Sequence, residues 1–233
     1  MSRRQVIWFF REAATDDRFR DLFEAAGFAT HFIPVLQTQF VELPDKIPPA
    51  DAVVVTSSRA VQAIESWKRL GELKKLTWFA IGPATRDALE TLGITCKHDS
   101  PGTADSLARV IAATGVRRVL FLAGAPHRDT LKRVLRSKRV AVETRIVYRT
   151  LHRTPDLPAG DETPDWAVFF SPRGVSVVEE HMTVDLQSVA KVAIGPVTAE
   201  AMEACGWEPS AVAQSPTPEG VLKAVREANV DIH

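Results

Sequence analysis

The sequence predicts an α/β protein built on parallel sheets with helices on both faces. Three observations predict it. First, apolar β-branched runs alternate with helical stretches along all 233 residues, which is the pattern of linked strand–helix–strand units. Second, a fifteen-residue passage occurs twice. Ala80-Ile81-Gly82-Pro83-Ala84-Thr85, running on to Gly93-Ile94, returns as Ala193-Ile194-Gly195-Pro196-Val197-Thr198, running on to Gly206-Trp207, with eight positions identical. Each copy follows an apolar run and reads as strand, Gly-Pro turn, helix and Gly stop, with Pro and Gly at the helix ends that favour them. Third, the repeat extends further. Ser57, Arg59, Val61 and Glu65 recur as Ser171, Arg173, Val175 and Glu179, and Phe28–Thr38 aligns more weakly with Val140–Thr150. The period is too long for a solenoid, so a domain-sized unit is duplicated.

In chain order, Val6–Phe10 reads as a buried strand and Asp16–Ala26 as an amphipathic helix ending at Gly27. Thr30–Val35 is the next strand, and Val35–Phe40 continues extended. Pro44, Pro48 and Pro49 mark a loop. Ala52–Thr56 is an apolar strand, followed by one helix over Arg59–Leu70. Leu76–Ile81 leads into the first Gly-Pro turn and its helix. A short strand is predicted near Thr95–Lys97 and a helix over Ala104–Ala113. Val119–Leu122 is a strand, Arg128–Arg136 a helix and Val140–Thr150 a long strand. Pro155, Pro158, Gly160 and Pro164 make Thr154–Pro164 a linker. Trp166–Phe170 opens the second set of turns and helices, which includes Val189–Ile194, and the tail from Asn229 is expected to fray. Duplication and Pro-rich linkers favour two domains over one large sheet.

Composition excludes several classes. Lys and Arg balance Asp and Glu, 29 against 29, which argues against general nucleic-acid binding. One anionic small molecule remains compatible, because local N–H groups and a few Arg suffice. No apolar run approaches the roughly 20 residues that span a membrane. The apolar part of the N-terminus stops at Arg11, too short for a signal-peptide core. Cys96 and Cys205 lack metal or redox spacing and read as buried small side chains in a reducing compartment, so a cytoplasmic location is expected. The sequence has no G-x-G-x-x-G, no Walker lysine motif, and no H-x₃-H or C-x₂-C pair. His31, His98, His127, His152, His181 and His233 do not cluster along the chain, and His127 alone falls in a candidate turn.

Several motifs together resemble the uroporphyrinogen-III synthase family. They are Thr56-Ser57-Ser58-Arg59-Ala60-Val61, Phe169-Phe170-Ser171-Pro172-Arg173-Gly174-Val175, Ala193-Ile194-Gly195-Pro196-Val197-Thr198-Ala199, Ser215-Pro216-Thr217-Pro218-Glu219-Gly220 and the lone Tyr148. The resemblance implies two flavodoxin-like parallel-sheet domains joined by a two-stranded antiparallel linker. Residues 1–34 and 152–233 would form one domain and 41–146 the other, with 35–40 and 147–151 as linker strands. It implies a hydro-lyase that closes the linear tetrapyrrole hydroxymethylbilane, which carries eight carboxylates, through a spiro intermediate with the last ring inverted. No cofactor is implied. A monomer that takes its substrate from the enzyme making hydroxymethylbilane is expected. Two turns depart from the family. The strand at Val119–Leu122 ends in Ala123-Gly124-Ala125-Pro126-His127, where members often carry Arg, and Phe10-Arg11-Glu12-Ala13 is atypical. Arg128 could take over a substrate carboxylate that the usual Arg would hold.

Many carboxylates need many donors, and helix N-termini supply them. The substrate-binding candidates are therefore Ser57, Ser58, Arg59, Gly82, Ala84, Thr85, Ser171, Pro172, Arg173, Gly195, Val197 and Thr198. Ser100–Thr103 and Ser215–Thr217 are weaker candidates. For each Ser and Thr the plain alternative is a helix cap, above all for Ser58 and Thr103. For Arg59 and Arg173 the plain alternative is two solvated helix starts, and their opposition to the helix dipole favours a ligand contact. Tyr148 is the catalytic candidate, since a phenol keeps its proton at neutral pH and can donate it to departing hydroxide. The alternative for it is an amphipathic ring packing on a ladder. The five Trp residues are expected in the core. A non-enzymatic bilobal sensor for a polycarboxylate is the competing function. A receiver-like phosphoryl-transfer protein is disfavoured, because the strand ends lack an acidic cluster.

Overall fold

The computed structural model describes residues 3–96, 102–127, 129–158, 163–181 and 186–230. The elements in chain order are β1 (Val6–Phe10), α1 (Arg18–Ala25), β2 (Ala29–Phe32), β3 (Leu36–Phe40), β4 (Ala52–Val55), α2 (Ser58–Glu65), α3 (Leu70–Leu73), β5 (Thr77–Ala80), α4 (Pro83–Thr91) and α5 (Ala104–Ala113). They continue with β6 (Arg118–Ala125), α6 (Thr130–Ser137), β7 (Ala141–His152), β8 (Trp166–Phe169), α7 (Pro172–His181), β9 (Ala190–Ala193), α8 (Pro196–Ala204), β10 (Ala211–Val212) and α9 (Pro218–Val230). The chain divides into two compact units, Met1–Gln37 with His152–His233, and Thr38–Leu151.

The first unit holds a sheet ordered β10-β9-β8-β1-β2, in which every adjacent pair is parallel. Numbered within the unit, the strands lie 2-1-3-4-5, a common doubly wound order. The second sheet is ordered β3-β7-β6-β4-β5, with β4–β5, β4–β6 and β6–β7 parallel. The strand sequence β2-β1-β8-β9 in one sheet matches β7-β6-β4-β5 in the other. The sequence repeat pairs the same strands: β8 with β4, β9 with β5 and β2 with β7. Each unit therefore takes its edge-side strand–helix–strand piece from one repeat and its remainder from the other. A tandem duplication has become two sheets that are cyclic permutations of one plan.

Parallel strands are covered on both faces, so alternate residues enter two cores. In the first unit Val6, Trp8 and Phe10 join Ala167 and Phe169 on one face, while Ile7 and Phe9 join Trp166 and Val168 on the other. In the second, Val53 and Val55 lie with Leu120 and Leu122, opposite Ala52, Val54, Val119 and Phe121. Each large side chain buried in this way contributes about 1.5–3 kcal/mol. Four Trp residues, at 8, 67, 78 and 166, are buried, and Trp207 packs on Phe169.

The structure corrects several sequence expectations. The helix expected over Arg59–Leu70 is two helices. Trp67 turns into the core, and its indole N–H donates to the Pro44 carbonyl at 3.2 Å, which ends α2 at Glu65. The strand expected to stop at Leu122 runs to Ala125, because β7 continues beside it. Of the tail expected to fray, residues 231–233 lie outside the described residues, and Asn229 and Val230 are helical. α9 reaches Val230, with Val221, Leu222, Ala224 and Val225 buried and Asn229 Nδ2 donating to Gln5 Oε1 at 3.4 Å. Cys96 and Cys205 are free and half-buried rather than core residues, and burial pushes both thiols up. Thr95 and Cys96 are not in a strand. Lys97, His98, Ser100, Pro101, Arg128, Gly160 and His233 lie outside the described residues.

The turn after β1 is held by an ion pair that sequence reasoning missed. Asp17 is 4% exposed and accepts from Arg11 at 2.5 Å, from the Ala14 N–H at 2.8 Å and, as N-cap of α1, from the Phe19 N–H at 3.0 Å. The Arg11 guanidinium lies 4.8, 4.9 and 5.0 Å from the Phe19, Phe32 and Phe170 ring centres. Burial pushes the Asp17 carboxyl up, but the Arg11 and backbone hydrogen bonds outweigh it and hold the group below its ordinary value. Its contribution to stability is therefore complete above the ordinary carboxylate range and is lost as pH falls through the depressed folded value. Asp17→Asn is expected to cost about 2–4 kcal/mol at neutral pH. Thermal melts across pH check this: the gap between the two proteins should narrow once pH drops below the ordinary carboxylate range.

Candidate functional site

Because the core strands are parallel, their carboxyl ends in each unit share one edge, where helices begin and ligands bind. β4 delivers Thr56-Ser57 to α2, β5 delivers Ile81-Gly82 to α4 and β6 delivers Pro126-His127 toward α6. In the first unit β8 delivers Phe170-Ser171 to α7 and β9 delivers Ile194-Gly195 to α8. Grooves of about 640 Å³ beside Phe40 and Trp67, and of about 800 Å³ beside Lys191 and Trp207, contain none of these turn residues.

In the second unit three sequence candidates meet. Ser57 is the N-cap of α2, and its Oγ accepts from the Arg59 N–H at 3.2 Å. The Tyr148 hydroxyl donates to the same Oγ at 3.2 Å. Ser57, not Ser58, is therefore the capping residue. Tyr148 is half-buried against the core face of α2 and α4 rather than lying on an exposed ladder. Arg59 is exposed, and Arg173 half-buried; among the described residues neither carries an ion pair. His127 Nδ1 lies 3.1 Å from the Gly124 carbonyl oxygen. Gly124, which the sequence marked only as part of an atypical turn, faces Tyr148 across the β6–β7 ladder. A glycine inside an apolar strand signals a bulge or a close approach, and that was its readable sign.

The two Gly-Pro turns look alike in sequence and differ in backbone. Gly82 has φ 77° and ψ 155°, a region that is essentially glycine-only. Gly195 has φ 176° and ψ 175°, which is extended backbone. Pro83 and Pro196 open the helices without an N–H. Thr85 and Thr198 are buried, at 5% and 3% exposure, and face inward. Ala84 and Val197 are exposed, and among the described residues their N–H groups have no partner. These amides are the free donors of each turn.

In the first unit Ser171 Oγ accepts from the Gly174 N–H at 3.1 Å, so it caps α7 as Ser57 caps α2. Thr217 caps α9 through the Gly220 N–H at 3.2 Å, and Thr103 caps α5 through the Ser106 N–H at 3.2 Å. Arg11 is committed to Asp17, to the Glu12 carbonyl at 2.8 Å and to three rings. The atypical turn after β1 thus carries a structural pin and no free cation. His152 and the adjacent pair Glu180 and His181 bring one ligand atom each within 4.8 Å of the others, and all three are exposed. Glu180 and His181 stand at the end of α7 opposite its turn. Among the described residues no helix is long and apolar enough to cross a membrane.

Residues 17–223 match a family model described as uroporphyrinogen-III synthase HemD. The chain belongs to the uroporphyrinogen-III synthase family. A family relative from Schizosaccharomyces pombe, named uroporphyrinogen-III synthase, is 31% identical over 235 residues, covering 90% of this chain and 91% of its own. One of the same name from Saccharomyces cerevisiae is 22% identical, covering 84% and 82%. Among solved structures, the uroporphyrinogen-III synthetase of Helicobacter pylori 26695 superposes with a TM-score of 0.72 at 15% identity, covering 97% of this chain and 99% of its own. A mutant synthase of the extremely thermophilic bacterium Thermus thermophilus gives 0.61 at 19% identity with the same coverage. These structures share the family's mixed α/β fold with parallel sheets.

The two Gly-Pro turns should respond differently to the same change. Neither glycine has a heavy atom within 4 Å of an added Cβ, so backbone conformation alone decides. Gly82→Ala is expected to lose about 1–3 kcal/mol, and Gly195→Ala less than about 1 kcal/mol. Urea denaturation of both variants checks this.

Proposed function

We propose that this chain is a uroporphyrinogen-III synthase, closing hydroxymethylbilane to the macrocycle with inversion of the last ring and loss of water. The observation that carries the reading is family membership across residues 17–223, with a relative of that name at 31% identity. A non-enzymatic sensor is not favoured by relatives named as enzymes.

We read the two units as flavodoxin-like domains, at 1–34 with 152–233 and at 41–146, joined by linker strands 35–40 and 147–151. The 2-1-3-4-5 strand order supports the first part. Two backbone bonds support an antiparallel linker: the Val41 N–H donates to Val147 O at 3.0 Å and the Arg153 N–H to Val35 O at 2.9 Å. The residue numbers run in opposite directions, as an antiparallel pair requires.

In this reading the substrate's carboxylates take donors from Ser57, Ser58, Arg59, Gly82, Ala84 and Thr85 in one unit. In the other they take them from Ser171, Arg173, Gly195, Val197 and Thr198, while Pro172, which has no N–H, only lines its turn. The free N–H groups of Ala84 and Val197 and the two guanidinium groups are the strongest donors. Buried Thr85 and Thr198 shape their turns, and Ser57 keeps only its own hydroxyl hydrogen to donate. Each helix N-terminus adds about 0.3–1 kcal/mol of anion stabilisation, so affinity comes from many small contributions. Tyr148 donates the proton with which the hydroxyl group leaves as water, while the pyrrole nitrogen supplies the electrons that expel it. Orientation of the last ring against the first is the larger task. No cofactor is assigned. Free thiols support a reducing cytoplasm, where a monomer would receive the open-chain substrate from the enzyme that makes it.

The purified protein should convert hydroxymethylbilane to the inverted-ring product, separable by chromatography from the uninverted isomer. Tyr148→Phe should keep its fold and lower kcat by no more than about 10²-fold, the low end of general-acid contributions. Unchanged turnover would remove Tyr148 from the chemistry.

A further inference from the structure

We infer that Ser57 and Gly124 are positioning residues for the Tyr148 phenol, an inference that rests on the role given to Tyr148 above. Three features converge on that ring. The first is a register shift: Ala123 pairs with Ile146, but Gly124 pairs with Tyr148, so Val147 is the extra residue of a β-bulge. In a regular strand neighbouring side chains point to opposite faces. Here Val147 and Tyr148 both pack on the face covered by α2 and α4, while Ile146 packs on the other. The bulge is what turns the phenol toward α2.

The second feature is space. A Cβ on Gly124 would lie 2.2 Å from Tyr148 Cζ, 2.5 Å from its hydroxyl oxygen and 2.6 Å from Cε2. No side chain fits there while the ring is in place. The third is the anchor. Ser57 Oγ receives the Tyr148 hydroxyl and the Arg59 N–H, each at 3.2 Å, which ties the phenol to the start of α2. Ser57 retains one hydrogen. Turned onto the phenolic oxygen, it would free the phenolic proton for the departing hydroxide. The substrate C–O bond breaks, water leaves, and the phenolate remains hydrogen-bonded to Ser57. The twin serine, Ser171, also caps its helix, through the Gly174 N–H, but the chain has a single tyrosine. The serine–phenol contact is therefore an addition in one unit and not a requirement of capping.

The test is a double-mutant cycle on the full chain, with hydroxymethylbilane as substrate. Ser57→Ala is expected to lower kcat about tenfold in the parent, and less than about twofold further once Tyr148 is Phe, because the two act as one unit. Ser57→Thr, which keeps the hydroxyl, should restore most of kcat. The loss of the cap should lower the thermal midpoint equally in both backgrounds, which separates positioning from stability. An equal fall in kcat in both backgrounds would overturn the inference. A second readout needs no turnover. Tyrosine labelled with ¹³C at Cζ gives one resonance, from Tyr148, and Ser57→Ala and Gly124→Ala should both shift it. An unmoved resonance in folded Ser57→Ala would overturn the inference even if the activity stands, and a shifted one supports it even if the assigned activity fails. Ser57→Ala and Ser57→Thr carry the test should Gly124→Ala fail to fold.

Discussion

Parallel pairing is the constraint on which the rest depends. It buries both faces of every core strand, which is why those strands are continuous apolar runs and not alternating ones. It also sends their carboxyl ends in a unit to one edge, where β1, β4, β5, β6, β8, β9 and β10 each lead on to a helix. Helix N-termini then gather there without any residue being selected for the purpose, each with backbone N–H groups in need of an acceptor. In the proposed function an anionic ligand satisfies that need. The side chains added to the edge are few: capping serines, two arginines and one phenol.

The duplication was legible because glycine, proline and threonine mark a strand-to-helix turn under almost any packing. The sheet order was not. A repeat tells which pieces are alike, but not which copy of the edge piece joins which sheet; tertiary packing decides that. The weak likeness between Phe28–Thr38 and Val140–Thr150 was the trace of it, since β2 and β7 hold equivalent places in their sheets. The break at Trp67 was illegible for a similar reason. Its indole finds the Pro44 carbonyl across 23 residues, and no local pattern foretells that bond.

The site was half legible. Residue type and spacing located the turns, and the family resemblance drew attention to Tyr148, whose hydroxyl the fold sets against Ser57. Type and spacing allowed a cap at either serine and favoured Ser58 where Ser57 caps, because adjacent serines are equivalent until the backbone bends. They also treated Gly82 and Gly195 as the same residue twice, when only one has a backbone that requires glycine. Gly124 and Arg11 were read as departures from a pattern. Gly124 makes the room a tyrosine ring occupies, and Arg11 is held by a buried carboxylate and three phenyl rings. In both cases the missing information was a partner that only the folded chain brings alongside.

The central claim is that the strand-to-helix turns of each unit are where the polycarboxylate binds. Amide NMR of the ¹⁵N-labelled protein titrated with uroporphyrinogen III, the closed product, tests it most directly. The account predicts that the largest shifts fall on Ser58, Arg59, Ala84, Thr85, Arg173, Val197 and Thr198. Shifts concentrated at the opposite strand ends, around Asp51, Leu76 and Ser188, would contradict it.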